Sequence, residues 1–321
     1  MTDAESYESS ALPPNVRETI VTVGTFDGVH RGHRDVVERL VNRARELGIA
    51  SVLVTFDPHP MEIVNPSAAP PLLTTMEEKL EVLAETGLEY LAVVPFTATL
   101  SRYSAEHFVD LVLRRCFRMR ELLIGYDHGF GRQRAGNVEV LKSLGKKSGF
   151  KVDVVAPVQA RAGQAVSSTA IRRAVAGGDL RRAAESLGRH YSVSGEVIPG
   201  DQRGRSVGFP TVNLGKPSTR KLLPPEGVYA VRAQTPRGNF GGMMNLGPRP
   251  TFGDAVTSIE AHLFDTDETF YGDHVRLDFI ARLRDTRKFG SVDELRAQLR
   301  IDERNARRAL TLNSDSDNLT G

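Results

Sequence analysis

The chain has 321 residues, with 42 lysines and arginines against 40 aspartates and glutamates and a formal charge of +2. That length asks for two domains, and so even a balance leaves no general positive field for nucleic acid. The single cysteine, Cys116, excludes an internal disulfide and fits a reducing compartment, while no apolar run approaches a membrane span and residues 1–15 lack the regions of a signal peptide, so a cytoplasmic protein without membrane contact is expected.

The first apolar run, Ile20, Val21 and Val23, leads into GTFDGVHRGH, residues 24–33. After it, apolar side chains recur at Val36, Val37, Leu40, Val41, Ala44 and Leu47 and stop at Gly48. This is the period of a helix that begins at about Gly32. A helix N-terminus has free N–H groups and the positive end of a dipole, so an anion is favoured there. Gly24, Gly28 and Gly32 are expected to supply positive φ and close backbone approach. His30 and His33, three apart, are expected to donate hydrogen bonds to phosphate oxygens. Two solvated histidines on a surface loop are the plainer alternative.

Further strands are expected over residues 49–56, 90–96, 121–124 and 151–155. Between them lie helices over 75–85, opened by a Thr-x-x-Glu capping box, and over 104–117, where Cys116 fits the apolar face as a small buried hydrophobe. Strand and helix in alternation predict a parallel sheet covered on both faces, with ligands beyond the carboxyl ends of its strands. FDPHP (56–60) and IGYDHGFGRQRAGN (124–137) both leave strands at that edge. SSTAIRR (167–173) sets two hydroxyls before a helix with Arg172 one turn in. Hydroxyls, free N–H groups and a guanidinium fork suit a polyphosphate, although an ordinary N-cap with solvated arginines reads the same way. Two short helices, 169–176 and 179–187, follow.

From Tyr191 the texture changes to six alternating segments without intervening helices: 193–198, 208–214, 228–233, 240–246, 258–264 and 274–279. They predict an antiparallel barrel or sandwich, then a last helix over 291–299 and a frayed polar tail. GRSVGFPTVN (204–213) joins a glycine loop to a strand on which Thr211 and Asn213, two apart, share a face. Hydroxyl and amide oxygens are hard donors that suit Mg²⁺ carrying ATP phosphates. Glu260, central in an apolar strand, is a candidate general base, with a solvent-facing glutamate as the alternative.

Taken in order, GTFDGVHRGH, FDPHP, GYDHGFGRQRAGN and SSTAIR resemble the adenylyltransferase half of the bacterial bifunctional riboflavin kinase/FAD synthetase family. GRSVGFPTVN, NLGPRPTF (245–252) and Glu260 resemble its kinase half. The resemblance covers about residues 20–308 and implies an α/β architecture. An N-terminal nucleotidyltransferase-type, Rossmann-like parallel-sheet domain (16–187) would make FAD from FMN and ATP with release of pyrophosphate. A C-terminal antiparallel β-barrel riboflavin kinase domain with a terminal helix (188–312) would make FMN from riboflavin and ATP. Residues 1–15 and 313–321 would be flexible tails.

The resemblance also implies roles. In the first half the ATP site comprises Gly24, Phe26, Asp27, His30, His33, Asp127, Ser168, Thr169 and Arg172, with His30, His33 and Arg172 catalytic. In the second the ATP and flavin site comprises Gly204, Gly208, Pro210, Thr211, Asn213, Asn245, Arg249 and Glu260, with Thr211 and Asn213 holding Mg²⁺ and Glu260 as base. His128 departs from the aromatic residue common at its position. Small molecules are the expected partners of a monomer or weak homo-oligomer. A nucleotide- or flavin-binding regulator would not need Thr211, Asn213 and Glu260 together. Another nucleotidyltransferase sharing the His-x-Gly-His turn would not need the barrel half.

Overall fold

The structure is a computed structural model that describes residues 11–126, 129, 131, 136–156, 166–200, 204, 207–215, 218–248 and 257–317. Its contacts divide the chain into two units, residues 1–168 and 169–321.

The first unit alternates strand and helix: β1 (Thr19–Val23), α1 (Arg31–Leu47), β2 (Ala50–Asp57), α2 (Pro60–Val64), α3 (Met76–Ala84), β3 (Tyr90–Pro95), α4 (Ala105–Phe108), β4 (Met119–Gly125), α5 (Val138–Ser148) and β5 (Lys151–Val155). The five strands form one sheet in the order β3-β2-β1-β4-β5, every pairing parallel. Successive residues of a strand face opposite sides, and both sides are buried. Ile20, Leu53 and Leu123 pack with Val36, Val37, Leu40, Val41 and Ala44 of α1. Val21, Val52, Val54, Leu122 and Ile124 pack on the other side with Phe108, Val112, Leu113 and Cys116. The expected doubly covered parallel sheet is therefore present.

The helix expected over 104–117 differs in kind. Ser104 caps it, α4 makes one α-turn, and the chain continues as a π-helix over Val109–Cys116. Phe117 N–H donates to the carbonyl of Val112, five residues back. The wider turn brings Val109, Val112, Leu113 and Cys116 onto one buried face. Leu12, in the segment expected as a leading tail, is buried in the same cluster.

α6 (Ser168–Ala176) crosses the division between the units, and α7 (Leu180–Leu187) follows, capped by Asp179. The second unit continues with β6 (Ser192–Ile198), β7 (Val212–Leu214), β8 (Gly227–Thr235), β9 (Gly238–Pro248), β10 (Thr257–Leu263), β11 (His274–Arg284) and α8 (Val292–Asp317). The strands close into a barrel in the order β10-β7-β6-β11-β8-β9 with every pairing antiparallel. Closure leaves no unpaired sheet edge, so the barrel, not the sandwich, is the outcome.

Two expected bounds change. The strand expected over 208–214 begins only at Val212: Gly208 takes a left-handed φ of 87°, and Pro210 has no N–H to give to a ladder. The helix expected over 291–299 runs on to Asp317, into residues expected as a tail. Leu295, Leu299, Ala306, Ala309 and Leu310 continue one apolar face along it, packed with Phe209, Met243, Phe264 and Ile280. Mid-helix, Asp302 is 1% exposed and takes a bidentate bond from Arg284, Nε at 2.9 Å and Nη2 at 2.7 Å.

Candidate active sites

In the first unit the chain turns from β1 into α1 through residues 24–30. Phe26 (φ 46°), Gly28 (φ 82°) and Val29 (φ 38°) are all left-handed. Of the three glycines in the motif, Gly28 alone uses the positive φ expected of all. Gly24 and Gly32 make room for rings instead: a Cβ would stand 3.0 Å from the Phe26 ring at Gly24 and 3.3 Å from the His30 ring at Gly32. A left-handed backbone at residues with a Cβ costs on the order of 1–3 kcal/mol each. It persists here because Phe26 and Val29 are buried in the core under α1.

The turn is also braced from the segment before α3. The Asp27 carboxylate accepts hydrogen bonds from the N–H of Leu73 at 2.9 Å and of Thr74 at 3.1 Å. The N–H of Gly28 donates to Thr74 Oγ1 at 3.1 Å, and Lys79 Nζ donates to the Thr25 carbonyl at 2.7 Å. Asp27, expected at the ATP site, thus spends its carboxylate on the backbone of its neighbour loop.

His30 is the N-cap of α1: its Nδ1 accepts from the His33 N–H at 3.2 Å. Its ring lies nearly flat on that of His33, centroids 3.6 Å apart at 14°, and the Phe26 ring stands 5.0 Å from His33. The expectation that both rings donate is therefore narrowed. Nδ1 of His30 serves as an acceptor toward the helix backbone, so that nitrogen is not a donor to an anion. The helix terminus and the paired rings occupy one small region, at the carboxyl end of β1.

Ser168 Oγ donates to the Asp27 carbonyl at 3.0 Å, so the SSTAIR hydroxyl does reach the turn. Thr169 and Arg172 follow on the same helix, in the second contact unit. Asp127, His128, Arg132 and Arg134 lie outside the described residues. In FDPHP, His59 caps α2: its Nδ1 accepts from the Met61 N–H at 3.2 Å, and Glu62 closes the capping box.

In the second unit, register assembles the candidates. Glu260 of β10 is the partner of Asn213 on β7 and of Asn245 on β9, so the three side chains form a row across three strands. Ile259, Ala261 and Leu263 of β10 are buried in alternation with it, which puts half-buried Glu260 on the opposite face. Asn213 is 5% exposed. Thr211 stands just before β7 rather than in it, so the two-residue strand spacing does not carry its relation to Asn213.

Two glycines shape this row. A Cβ at Gly200 would fall 2.3 Å from Asn213 Nδ2 and 2.7 Å from its Oδ1. The carbonyl of Gly204 accepts from the N–H groups of Val207 and Phe209 at 3.2 and 2.9 Å, curling the loop that leads to Thr211. His262, two residues beyond Glu260, brings Nδ1 to 2.7 Å from the Pro210 carbonyl. Beside it opens a cavity of about 450 Å³, lined by Phe209, Pro210, His262, Phe264, Arg300 and Arg307 among others. Arg307 there is clamped by Asp265 through two bonds of 2.8 Å. Arg249 lies outside the described residues.

Lys79, Gly200 and His262 were not anticipated from the sequence. A signal exists for two of them: Lys79 shares the buried side of α3 with Val82 and Leu83 at helical spacing, and His262 is in phase with Glu260 on β10. Gly200 carries none, because its neighbour Asn213 is brought to it by the fold.

The chain matches the FAD synthetase family over residues 12–170 and the riboflavin kinase family over residues 187–310. It is similar to the bifunctional riboflavin kinase/FMN adenylyltransferase of Escherichia coli (strain K12), 36% identical over 292 residues that cover 90% of this chain and 91% of that one. The protein of the same description from Bacillus subtilis (strain 168) is 33% identical over 294 residues, covering 90% and 92%. The fold is similar to that of a solved Streptococcus pneumoniae structure described as a macrolide-efflux protein, with a TM-score of 0.80, 29% identity and coverage of 94% of this chain and 96% of that one. Among the described residues of this chain no helix is long and apolar enough to cross a membrane. With both halves matched in order and relatives 33–36% identical across nine-tenths of their length, the chain belongs to the bifunctional riboflavin kinase/FMN adenylyltransferase family.

Proposed function

We propose that the turn of residues 24–33 binds ATP for FMN adenylylation and that the row Asn213, Glu260 and Asn245 is the centre of the riboflavin kinase. The chain is a bifunctional enzyme that phosphorylates riboflavin to FMN and adenylylates FMN to FAD.

For adenylyl transfer, an FMN phosphate oxygen attacks the α-phosphorus of ATP and pyrophosphate leaves. Catalysis is then alignment and stabilisation of charge on phosphate oxygens. The α1 N-terminus, the His30 and His33 rings and Arg172 supply that stabilisation, with Gly24, Phe26 and Asp27 shaping the turn and Ser168 and Thr169 contributing hydroxyls. Asp127 is proposed at the same site. The observation that carries this reading is the braced, left-handed turn that ends on a histidine-capped helix.

For the kinase, Glu260 accepts the proton of the riboflavin 5′-hydroxyl as its oxygen attacks the γ-phosphorus of ATP, and ADP leaves. Thr211 and Asn213 present oxygen donors, and the amide of Asn213 is seated in a place only a glycine at 200 leaves open, a set that fits Mg²⁺. When bound, Mg²⁺ would neutralise developing charge on the phosphates. Gly204, Gly208, Pro210, Asn245 and Arg249 complete the proposed site, and the adjoining cavity has room for a ring-bearing part of a substrate. The register of Glu260 with Asn213 supports this reading.

The proposed domains are residues 16–187 and 188–312. Small molecules are the proposed partners of a cytoplasmic monomer or weak homo-oligomer. Incubating the full chain with ATP, Mg²⁺ and riboflavin and separating the flavins tests the whole: FMN and then FAD accumulate. Absence of FMN overturns the kinase assignment, and FMN that never becomes FAD overturns the other.

A further inference from the structure

We infer that Lys79 is a positioning residue for adenylyl transfer: its buried ammonium offsets the Asp27 carboxylate of the phosphate turn and holds the turn's backbone, so that the turn accepts a polyphosphate. The inference rests on residues 24–33 being the ATP site.

Lys79 lies on α3, whose start is fixed by the capping box of Thr75 and Glu78. It is 6% exposed and shares the buried side of the helix with Val82 and Leu83. An apolar side chain of the same length would fill that space without desolvating a charge, so packing does not account for a lysine. What the lysine adds is a donor and a charge. Nζ donates to the Thr25 carbonyl at 2.7 Å and to Thr55 Oγ1 at 3.3 Å, and Thr55 Oγ1 donates in turn to the same carbonyl at 3.1 Å. The ammonium therefore holds the first peptide of the turn from below.

The carbonyl that Lys79 holds belongs to Thr25, two residues before Asp27 on the same turn, and the charges of Asp27 and of Asp57 at the end of β2 both act on the ammonium. Burial pulls the Lys79 pKa below the usual lysine range, and both aspartates act to keep it charged. Asp27 is 2% exposed and is required where it stands, since it accepts the N–H groups of both Leu73 and Thr74. A buried anion at the foot of a phosphate site repels the ligand the site is shaped for. Lys79 is the cation that cancels it, which ties a structural brace to the affinity for ATP.

The test uses the full chain with Lys79→Met, Asp27→Asn and the two combined. The readouts are KM for ATP, KM for FMN and kcat in FAD formation. Lys79→Met raises KM for ATP by about tenfold or more, while KM for FMN stays. Adding Asp27→Asn brings KM for ATP back, because the amide removes the charge and keeps an acceptor for the loop N–H groups. Loss of packing alone would lower the active fraction, and hence kcat, and would not be relieved by a second substitution. Should Lys79→Met not fold, Asp27→Asn alone decides: it lowers KM for ATP severalfold by removing the buried anion and leaving Lys79 balanced by Asp57. An unchanged KM for ATP in Lys79→Met, a raised one that Asp27→Asn does not relieve, or an unchanged or higher KM in Asp27→Asn alone overturns the inference. His33→Ala in the same assay separates the two levels. If it leaves FAD formation intact, the ATP reading fails and this inference with it; if it stops FAD formation while the Lys79 and Asp27 variants keep KM for ATP, only this inference fails.

Discussion

Glu260 and Asn213 are direct partners in the antiparallel β7–β10 ladder. A carboxylate and an amide that are far apart in the chain are thereby held side by side on neighbouring strands, the arrangement that the proposed kinase site uses.

From this pairing, Glu260→Gln should stop FMN formation from riboflavin, by about 10²–10⁴-fold in kcat, and leave FAD formation from FMN intact. Chromatography of flavins from the two assays checks it. Equal loss of both activities would separate Glu260 from the kinase step.

His33→Ala should have the opposite pattern. The stacked ring of His30 loses its partner and the turn loses a donor, so FAD formation falls by about 10²–10³-fold while riboflavin is still phosphorylated. Pyrophosphate release from FMN and ATP is the direct readout.

Gly200→Ala should damage the kinase alone. Its methyl group would stand 2.3 Å from Asn213 Nδ2, so the amide must move, and a displacement near 1 Å costs about 10²-fold where alignment matters. A raised Mg²⁺ requirement for FMN formation, with FAD formation from FMN unchanged, is the expected result. Wild-type Mg²⁺ dependence would show that Asn213 does not hold the metal.

Glu121 governs a pH effect in the parallel sheet. It is 3% exposed and accepts from Arg43 Nε at 3.1 Å, Arg43 Nη2 at 3.2 Å and Lys151 Nζ at 3.3 Å. Burial alone would push the Glu121 carboxyl up, but the Arg43 and Lys151 bonds outweigh it and hold the group below the usual carboxylate range. A folded-state value below the unfolded one means that the stability is fully present above about pH 4.3, the ordinary glutamate value, and is lost as the pH falls through the lowered one. Glu121→Gln should cost about 1.5–3 kcal/mol at neutral pH, and the gap to wild type should close on acidification. Denaturant titrations from neutral pH downward measure it.

Much of the fold is legible along the chain. The apolar period of α1, the capping box at Thr75 and Glu78, and the alternation of β10 are each written in neighbouring residues, and each element appears where that pattern places it. The exceptions have physical causes. Val212–Leu214 is short, with the left-handed Gly208 and the N–H-less Pro210 before it, and α8 is long because the barrel offers its apolar face a surface beyond residue 299.

The candidate sites were legible as motifs and not as geometry. By itself the sequence determined which residue types stand in which order, the alternation that builds a parallel sheet, and the six strands that follow, since propensity and periodicity are local properties. Only the tertiary structure decided that His30 would cap α1, that Asp27 would accept from Leu73 and Thr74, that Lys79 would hold the Thr25 carbonyl, and that Glu260 would pair with Asn213. Those relations depend on register and on the packing of distant segments, and no local pattern encodes which partner a buried polar group will find.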